Sequence, residues 1–248
     1  MKLVTDRGWS WSPAQWEMLL ALGPGYGAFD ERGLLGTTVV TPYAEMQAIS
    51  GVLVGSWAGR RGVGSALMSH VLGTGPSVLY ATAMGEPMYE RLGFHSVGRA
   101  SAHHGELNEP ATGITRPATP EDLLSVVALD RVASGLTREK FWAHVFGPSS
   151  SYTPHVAEDG FVCTRRNDDM LVIGPLVAPN ASVACEMIAD VAAGAGQVRV
   201  DVSGQDVAEF LLSRGFEVRG GCALMVRGVE DVGGDRARYF APASLALG

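Results

Sequence analysis

Val52-Leu-Val-Gly-Ser-Trp-Ala-Gly-Arg-Arg-Gly-Val-Gly-Ser-Ala-Leu67 is the stretch on which the fold turns. An apolar strand ends at Val54, a glycine-bearing turn follows, and a helix begins near residues 62–65. Glycines at 59, 62 and 64 permit a tight turn and close approach of the backbone to a ligand. Successive N–H groups at a helix N-terminus favour an anion, and Arg60 and Arg61 add positive charge to the rim. The pattern reads as a pyrophosphate cradle. It matches neither the G-x-x-x-x-G-K-[ST] phosphate loop nor the dinucleotide-binding G-x-G-x-x-G spacing.

Working outward, the chain repeats itself. Met88-Tyr-Glu-Arg-Leu-Gly-Phe94 resembles Phe210-Leu-Leu-Ser-Arg-Gly-Phe216, and each closes a short helix before a strand-like run. Alternating strand-like runs precede them at 77–82 and 197–202, and apolar strands lie upstream at 49–54 and 170–177. Val54 to Phe94 spans 40 positions (54 to 94) and Val177 to Phe216 spans 39 (177 to 216), so the order strand, helix, strand, helix, Gly-Phe, strand occurs twice. Two similar α/β domains are expected: residues 1–108, a linker at 109–113, a second domain at 114–230 and a tail at 231–248. In the first, Ser12 caps a helix from Pro13 to about Leu22; in the second, Thr119-Pro120 followed by acids opens a helix. No strand or helix is expected ahead of Ser12, which leaves a sheet edge for the second domain or the tail 236–248 to cover.

Composition narrows the function classes. The 248 residues carry a net charge of −7 with 46% hydrophobic content, enough apolar material for a core. No Lys/Arg block exists to track phosphates, so nucleic acid is an unexpected partner. Apolar runs are all shorter than the roughly 20 residues of a bilayer span, and 1–9 has no apolar signal region, so membrane association is not expected. Cys163, Cys185 and Cys222 are far apart and provide neither a disulfide framework nor a metal clip. No metal site is expected, and the protein reads as cytoplasmic. Arginine outnumbers lysine 17 to 2, which suggests a GC-rich genome.

The glycine segment resembles the acyl-CoA-binding motif of the GNAT N-acyltransferase superfamily, [QR]-x-x-G-x-[GA]. Arg60-Arg61-Gly62-Val63-Gly64 supplies x-x-G-x-G, and Gly59 stands at the leading position, a departure that removes one side-chain contact. Ala83-Met-Gly-Glu-Pro-Met-Tyr89-Glu-Arg-Leu-Gly-Phe94 is similar to the second landmark of that superfamily, Tyr-x-x-x-Gly-Phe. Ile173-Gly-Pro-Leu-Val-Ala-Pro179, Leu224-Met-Val-Arg-Gly228 and the tail Ala241-Pro-Ala-Ser-Leu-Ala-Leu-Gly248 are similar to a bacterial tandem-GNAT subgroup with a degenerate C-terminal domain. The resemblance implies an α/β fold of two GNAT-like domains, each a mixed, mostly antiparallel sheet flanked by helices. The first would lack its usual opening strand and helix.

The resemblance also implies roles. Acetyl-CoA would be held by Val52, Leu53 and Val54 of the strand and by Gly59, Arg60, Arg61, Gly62, Val63, Gly64 and Ser65 of the cradle. Tyr89 would protonate the departing thiolate, the alternative being a core tyrosine beside Phe94. Glu45 is the candidate base, directly or through water; a solvated carboxylate at a strand start is the favoured alternative, and an amine arriving neutral needs no base. The second copy has no glycine between Gly174 and Gly194, and counting back from Gly-Phe puts Leu211 where the first copy has Tyr89. Catalysis is therefore expected in the first half.

The expected function is direct acyl transfer to a primary amine, with a small-molecule acceptor. The acidic net charge mildly favours a cationic one. A non-catalytic acyl-CoA-binding or regulatory protein is the alternative, as is another acyl-CoA reaction on the same fold, and a homodimer is left open. Trp9, Trp11 and Trp16 read as core, with a pocket wall as the minority reading. His103 and His104 are adjacent and so face opposite ways on a strand, most simply as a surface pair.

Overall fold

The computed structural model describes residues 1–9 and 11–247. The first half runs α1 (Lys2–Asp6), α2 (Pro13–Leu22), β1 (Gly25–Asp30), β2 (Gly33–Pro42), β3 (Gln47–Val54), α3 (Val63–Val71), β4 (Ser77–Thr82), α4 (Glu86–Arg91) and β5 (His95–Glu106). The second runs β6 (Arg116–Pro117), α5 (Leu123–Ser134), α6 (Glu139–Val145), β7 (Tyr152–Ala157), β8 (Gly160–Asn167), β9 (Met170–Val177), α7 (Ala181–Ala192), β10 (Gln197–Val202), α8 (Gln205–Ser213), β11 (Glu217–Arg227) and β12 (Tyr239–Ala241). The repeated order read from the sequence is present in both halves. Local chemistry sets the helix starts: Ser12 and Gln15 form a reciprocal capping box ahead of Pro13, and Thr119 and Asp122 form another before α5.

The two copies do not form two separate sheets. Their strands join in one 12-stranded sheet, ordered β1-β2-β3-β4-β11-β5-β10-β9-β8-β7-β6, with β12 on β9. β11 of the second half lies between β4 and β5, while β5 of the first lies between β11 and β10. Each half has thus given its last long strand, β5 or β11, to the other. Among the described residues only β3–β4 and β9–β10 pair in parallel. The exchange corrects two expectations. A boundary at 109–113 divides the chain but not its hydrogen bonding. His103 is buried rather than on the surface, because β5 is an interior strand, and its ring Nδ1 lies 2.9 Å from the carbonyl of Ser101.

The opening of the chain also departs from expectation. A first helix is present: α1 holds Leu3 and Val4 against Leu53, a tertiary contact that stabilises a stretch too short to stand as a helix alone. Nor does the tail cover the outer edge of β1, where Phe29 remains 71% exposed. Residues 239–247 instead cross back over the sheet. Tyr239 lies on Val177, Tyr152 Oη donates to the carbonyl of Ala243 (3.2 Å), and Tyr43 Oη donates to that of Leu247 (2.8 Å). Beneath this crossing, Asp130 accepts from Arg138 and from Trp142 Nε1 (2.7 Å), and Arg138 donates to Tyr239 Oη (3.3 Å). This buried network fixes where the tail begins.

The first-half core contains Ala223 and Met225 of β11 beside Ile49, Met68, Leu79, Tyr89 and Phe94. Losing Leu224, Met225 and Val226 alone would remove burial worth about 1.5–3 kcal/mol each, much of the ~5–15 kcal/mol margin of a typical domain. A fragment ending at Asn108 is therefore expected to be molten or insoluble; a sharp, cooperative thermal transition for that fragment would refute the exchange as a stability requirement.

Candidate active site

β3 and β4 begin as neighbours and then part. Their parallel ladder holds only at Gln47↔Ser77 and Ala48↔Val78, where Gln47 Nε2 also donates to Ser77 Oγ and to the carbonyl of Val71 (both 3.1 Å). Beyond that point β3 carries a bulge: its register on β2 slips between Thr37↔Leu53 and Val39↔Ser50. Gly51 takes φ +58° there, and a β-carbon would come within 3.0 Å of the Trp16 ring. Thr37 Oγ1 donates to the carbonyl of Gly51 (2.9 Å) and Thr38 Oγ1 to that of Ser50 (3.2 Å), which pins the bulge. The result is a wedge between 49–54 and 79–82.

A cleft of about 460 Å3 fills this wedge. Val52, Leu53, Val54, Gly64, Met88 and Tyr89 line one part of it; Trp9, Trp11, Ser50, Tyr80 and Leu245 line another. The end of α1 spans its mouth: Asp6 accepts from Ser56 N and Oγ just beyond β3 (both 2.7 Å), and Arg7 reaches Met84 Sδ just beyond β4 (3.1 Å).

The glycine turn lies at the outer end of β3. Gly62 is the N-cap of α3, in the left-handed region at φ 76°, and no side chain caps the helix. The first-turn N–H groups are thus open, the arrangement that binds an anion. Arg60 also has a positive φ of 58°. At Gly64, which borders the cleft, a β-carbon would meet Met88 Sδ at 3.3 Å and Val54 Cγ2 at 3.6 Å. These features fit a phosphate-bearing, elongated ligand. Arg60 and Arg61 are exposed, and Arg61 is paired with Asp30 at 3.3 Å. Gly59 N donates to the carbonyl of Ser56 (3.2 Å), and Ser65 is exposed on the first turn of α3. Val63 lies half-buried over Gly36.

Tyr89 is 7% exposed, with its ring edge-on to Phe94 at 5.9 Å. Its hydroxyl makes no hydrogen bond to the protein among the described residues, and the residue borders the cleft. Burial, with the Cys222 thiol nearby, pushes its phenol up to about 12. Tyr89 thus packs in the first-half core and borders the cleft at once. Gly85 allows this placement, since a β-carbon there would sit 2.9 Å from the Tyr89 ring.

Glu45 is not in the cleft, which corrects its reading as a base. Its carboxylate accepts from Thr137 N (2.9 Å) and Thr137 Oγ1 (2.5 Å), linking the halves ahead of α6. Burial works to raise its pKa, but the Thr137 hydrogen bonds outweigh it and hold the carboxyl below its ordinary value. Sequence reasoning missed Arg7, Ser50, Tyr80, Met88 and Leu245. A glycine inside a strand, Gly51, was the available signal for a bulge.

The second half repeats the scaffold, with β12 laid against the end of β9. β9 reaches α7 through three residues, and Asn180 Oδ1 accepts from Val183 N (3.0 Å), closing the helix end. Phe216 N donates to Leu211 O as Phe94 N does to Tyr89 O, both at 3.1 Å, so Leu211 is the counterpart of Tyr89. Among the described residues there is no metal-binding cluster and no helix long and apolar enough to cross a membrane.

Residues 126–241 match the family model described as an acetyltransferase (GNAT) domain. The chain is similar to the uncharacterized N-acetyltransferase YitH of Bacillus subtilis, 26% identical over 149 residues, or 56% of this chain and 53% of that one. The match thus spans about half the length of this curated relative. In structure it is similar to a putative acetyltransferase from Pyrococcus horikoshii (19% identity, 99% of this chain and 90% of that chain, TM-score 0.85). It also resembles a GCN5-related N-acetyltransferase from Kribbella flavida (22% identity, 82% and 60%, TM-score 0.56). The whole chain thus shares the fold of these acetyltransferases, and its residues 126–241 match the GNAT domain model. The family match falls wholly within the second half, beyond the glycine turn at 59–64.

Gly62→Val forces a β-branched residue into the left-handed region, and Gly64→Leu fills the space beside Met88. Both variants are expected to lose coenzyme A binding in calorimetry while keeping native circular dichroism; undiminished affinity in both would place the phosphate site elsewhere.

Proposed function

We propose that the protein is an acetyl-CoA-dependent N-acyltransferase that transfers the acyl group directly to a primary amine on a small molecule. The observation that carries this reading is one wedge bounded by an uncapped α3 N-terminus at one side and the unpaired Tyr89 hydroxyl at the other. Acetyl-CoA supplies an acyl group activated as a thioester. The N–H groups of 63–65 would bind its pyrophosphate, with Arg60 at the rim, and backbone amides of 52–54 would hold the thioester carbonyl. The bulge at Gly51 keeps these strand groups away from β4 and so open to a ligand.

Transfer forms a C–N bond and breaks the C–S bond, and the attacking nitrogen loses one proton as the sulfur gains one. A phenol at about 12 cannot hand its proton fully to a thiolate whose ordinary pKa is about 8.5, since the step is uphill by roughly three to four units. Tyr89 therefore serves as a hydrogen-bond donor to the departing sulfur, while the proton that finally resides there comes from the amine. No carboxylate or imidazole lines the cleft among the described residues, so the amine enters neutral. A non-catalytic acyl-CoA-binding role is the competing reading, and the same experiments decide it.

Tyr89→Phe removes only the donor. Coenzyme A affinity should hold while turnover falls by about 10²–10⁴, the usual size of a lost acid catalyst. Unchanged turnover would return Tyr89 to a packing role; no coenzyme A release with any amine would favour the binding protein. The pH dependence has a definite sign as well. The raised pKa keeps Tyr89 protonated up to about 12, so it imposes no loss at working pH. With acceptors of different basicity, kcat/KM should rise about ten-fold per pH unit up to each amine's own pKa, ~10 for an alkyl amine. An inflection near neutrality that stays fixed across amines would reveal a protein base and overturn this account.

A further inference from the structure

Among the described residues, the walls of the cleft carry one charged side chain, Arg7. No carboxylate pairs with it among the described residues; its neighbour Asp6 is spent on Ser56, and its own contact is the Met84 thioether, a weak acceptor. Aromatic and aliphatic side chains share the lining with it. Trp9 and Trp11 meet at 5.1 Å between ring centroids, and Trp11 is braced edge-on by Trp16 at 5.3 Å. Leu245 arrives from the far end of the chain, held between the anchored carbonyls of Ala243 and Leu247. Ser50, also in the lining, is 6% exposed and its Oγ has no hydrogen-bond partner. A buried hydroxyl left open in this way costs stability unless something bound supplies its partner.

Resting on the acyl-transfer reading above, we infer that the acceptor is an amine with a flat apolar body and a carboxylate, the chemistry of an aromatic amino acid. Arg7 is the counter-ion of the carboxylate, Trp9, Trp11 and Leu245 enclose the apolar body, and Ser50 Oγ meets a polar atom of the bound amine. This reverses the preference for a cationic acceptor suggested by the net charge of −7. Surface charges farther away than the ~8–10 Å screening length are muted by salt, whereas Arg7 lies in the lining itself. A polyamine would bring extra positive charge against Arg7 with no carboxylate to receive it.

The test is equilibrium binding read by the fluorescence of Trp9 and Trp11, with and without saturating coenzyme A, for L-phenylalanine, L-phenylalaninamide and spermidine. The amide keeps the ring and amine but lacks the negative charge. Wild type should bind the acid about ten-fold or more tighter than the amide, as expected for a charge-assisted pair, and bind spermidine weakest. Arg7→Gln should bring acid and amide within about two-fold of each other, and Arg7→Lys should restore part of the difference. Coenzyme A affinity, measured separately by calorimetry, reports folding of each variant. Equal binding of acid and amide by wild type, an unchanged ratio in Arg7→Gln, or tightest binding of spermidine would overturn the inference. Failure of the acyl-transfer reading looks different: coenzyme A does not bind, while the ligand preference can still be read without it.

Discussion

Everything in the first half depends on a strand it does not encode. β11 runs beside β4 from Ser77↔Arg227 to Thr82↔Cys222 and beside β5 from His95↔Val226 to His104↔Glu217. β4 is one wall of the wedge, and the wedge exists because β4 holds its line while β3 bends away at Gly51. Without β11, β4 would have a free edge on one side and a two-residue ladder on the other. Ala223 and Met225 also back the layer on which Tyr89 and Phe94 rest. The tail adds a second dependence, since Leu245 enters the cleft only because the Asp130–Arg138–Tyr239 network and the Ala243 and Leu247 anchors direct it there. A cleft formed almost wholly from residues before position 90 is thus held in shape by residues after position 215.

The same exchange explains how one repeat can open a site while its partner closes one. Both halves preserve strand, helix, strand, helix, strand, and both preserve the bond from the Gly-Phe phenylalanine to the residue five positions earlier. The differences are few and local. Gly62, without a side chain, leaves the α3 amides open, whereas Asn180 turns its amide oxygen back onto Val183 and satisfies α7 from within. Tyr89 borders a cavity; Leu211 is fully buried in a core with Val207 and Phe216. The linker adds a further lock, as Asp190 on α7 accepts from the backbone amides of Thr112 (2.5 Å), Gly113 (2.9 Å) and Thr115 (2.8 Å). One half became a rigid support, and the support is what a bent, partly unpaired strand in the other half requires.

Much of this was legible because it is local. The strands Ser77–Thr82, Met170–Val177 and Gln197–Val202 carry their own alternation or apolar runs, and the Ser12 and Thr119 caps announce the helices that follow. Gly62 is readable because few other residues tolerate its left-handed turn, and Gly64 because a side chain there would press on Met88. What the sequence did not disclose is set by distance along the chain. Nothing near Glu45 shows that Thr137, 92 positions away, takes its carboxylate. Nothing near His103 shows that strands of the second half bury it on both sides. α1 forms because Leu53 is there to receive it, and Leu245 reaches the cleft after the whole second half has been traversed. Periodicity identifies elements; it does not say which copy of a repeat will supply a neighbouring strand.

The displacement of Glu45 and the burial of Tyr89 bear on each other. On the acyl-transfer reading, a protein carboxylate beside the thioester, with no cation to pair it, would cost desolvation and would place a negative charge near a departing thiolate, the species that needs stabilising. A phenol has the opposite effect. Its raised pKa keeps it neutral, so it costs little to bury and offers a donor where negative charge develops. The same apolar lining that keeps Tyr89 protonated would lower the pKa of a bound ammonium and ease its loss of a proton to water on entry. On the same reading a site without a base is consistent with its walls: the environment would shift the amine toward its reactive form, and Arg7 would disfavour a second positive charge in the direction of the sulfur.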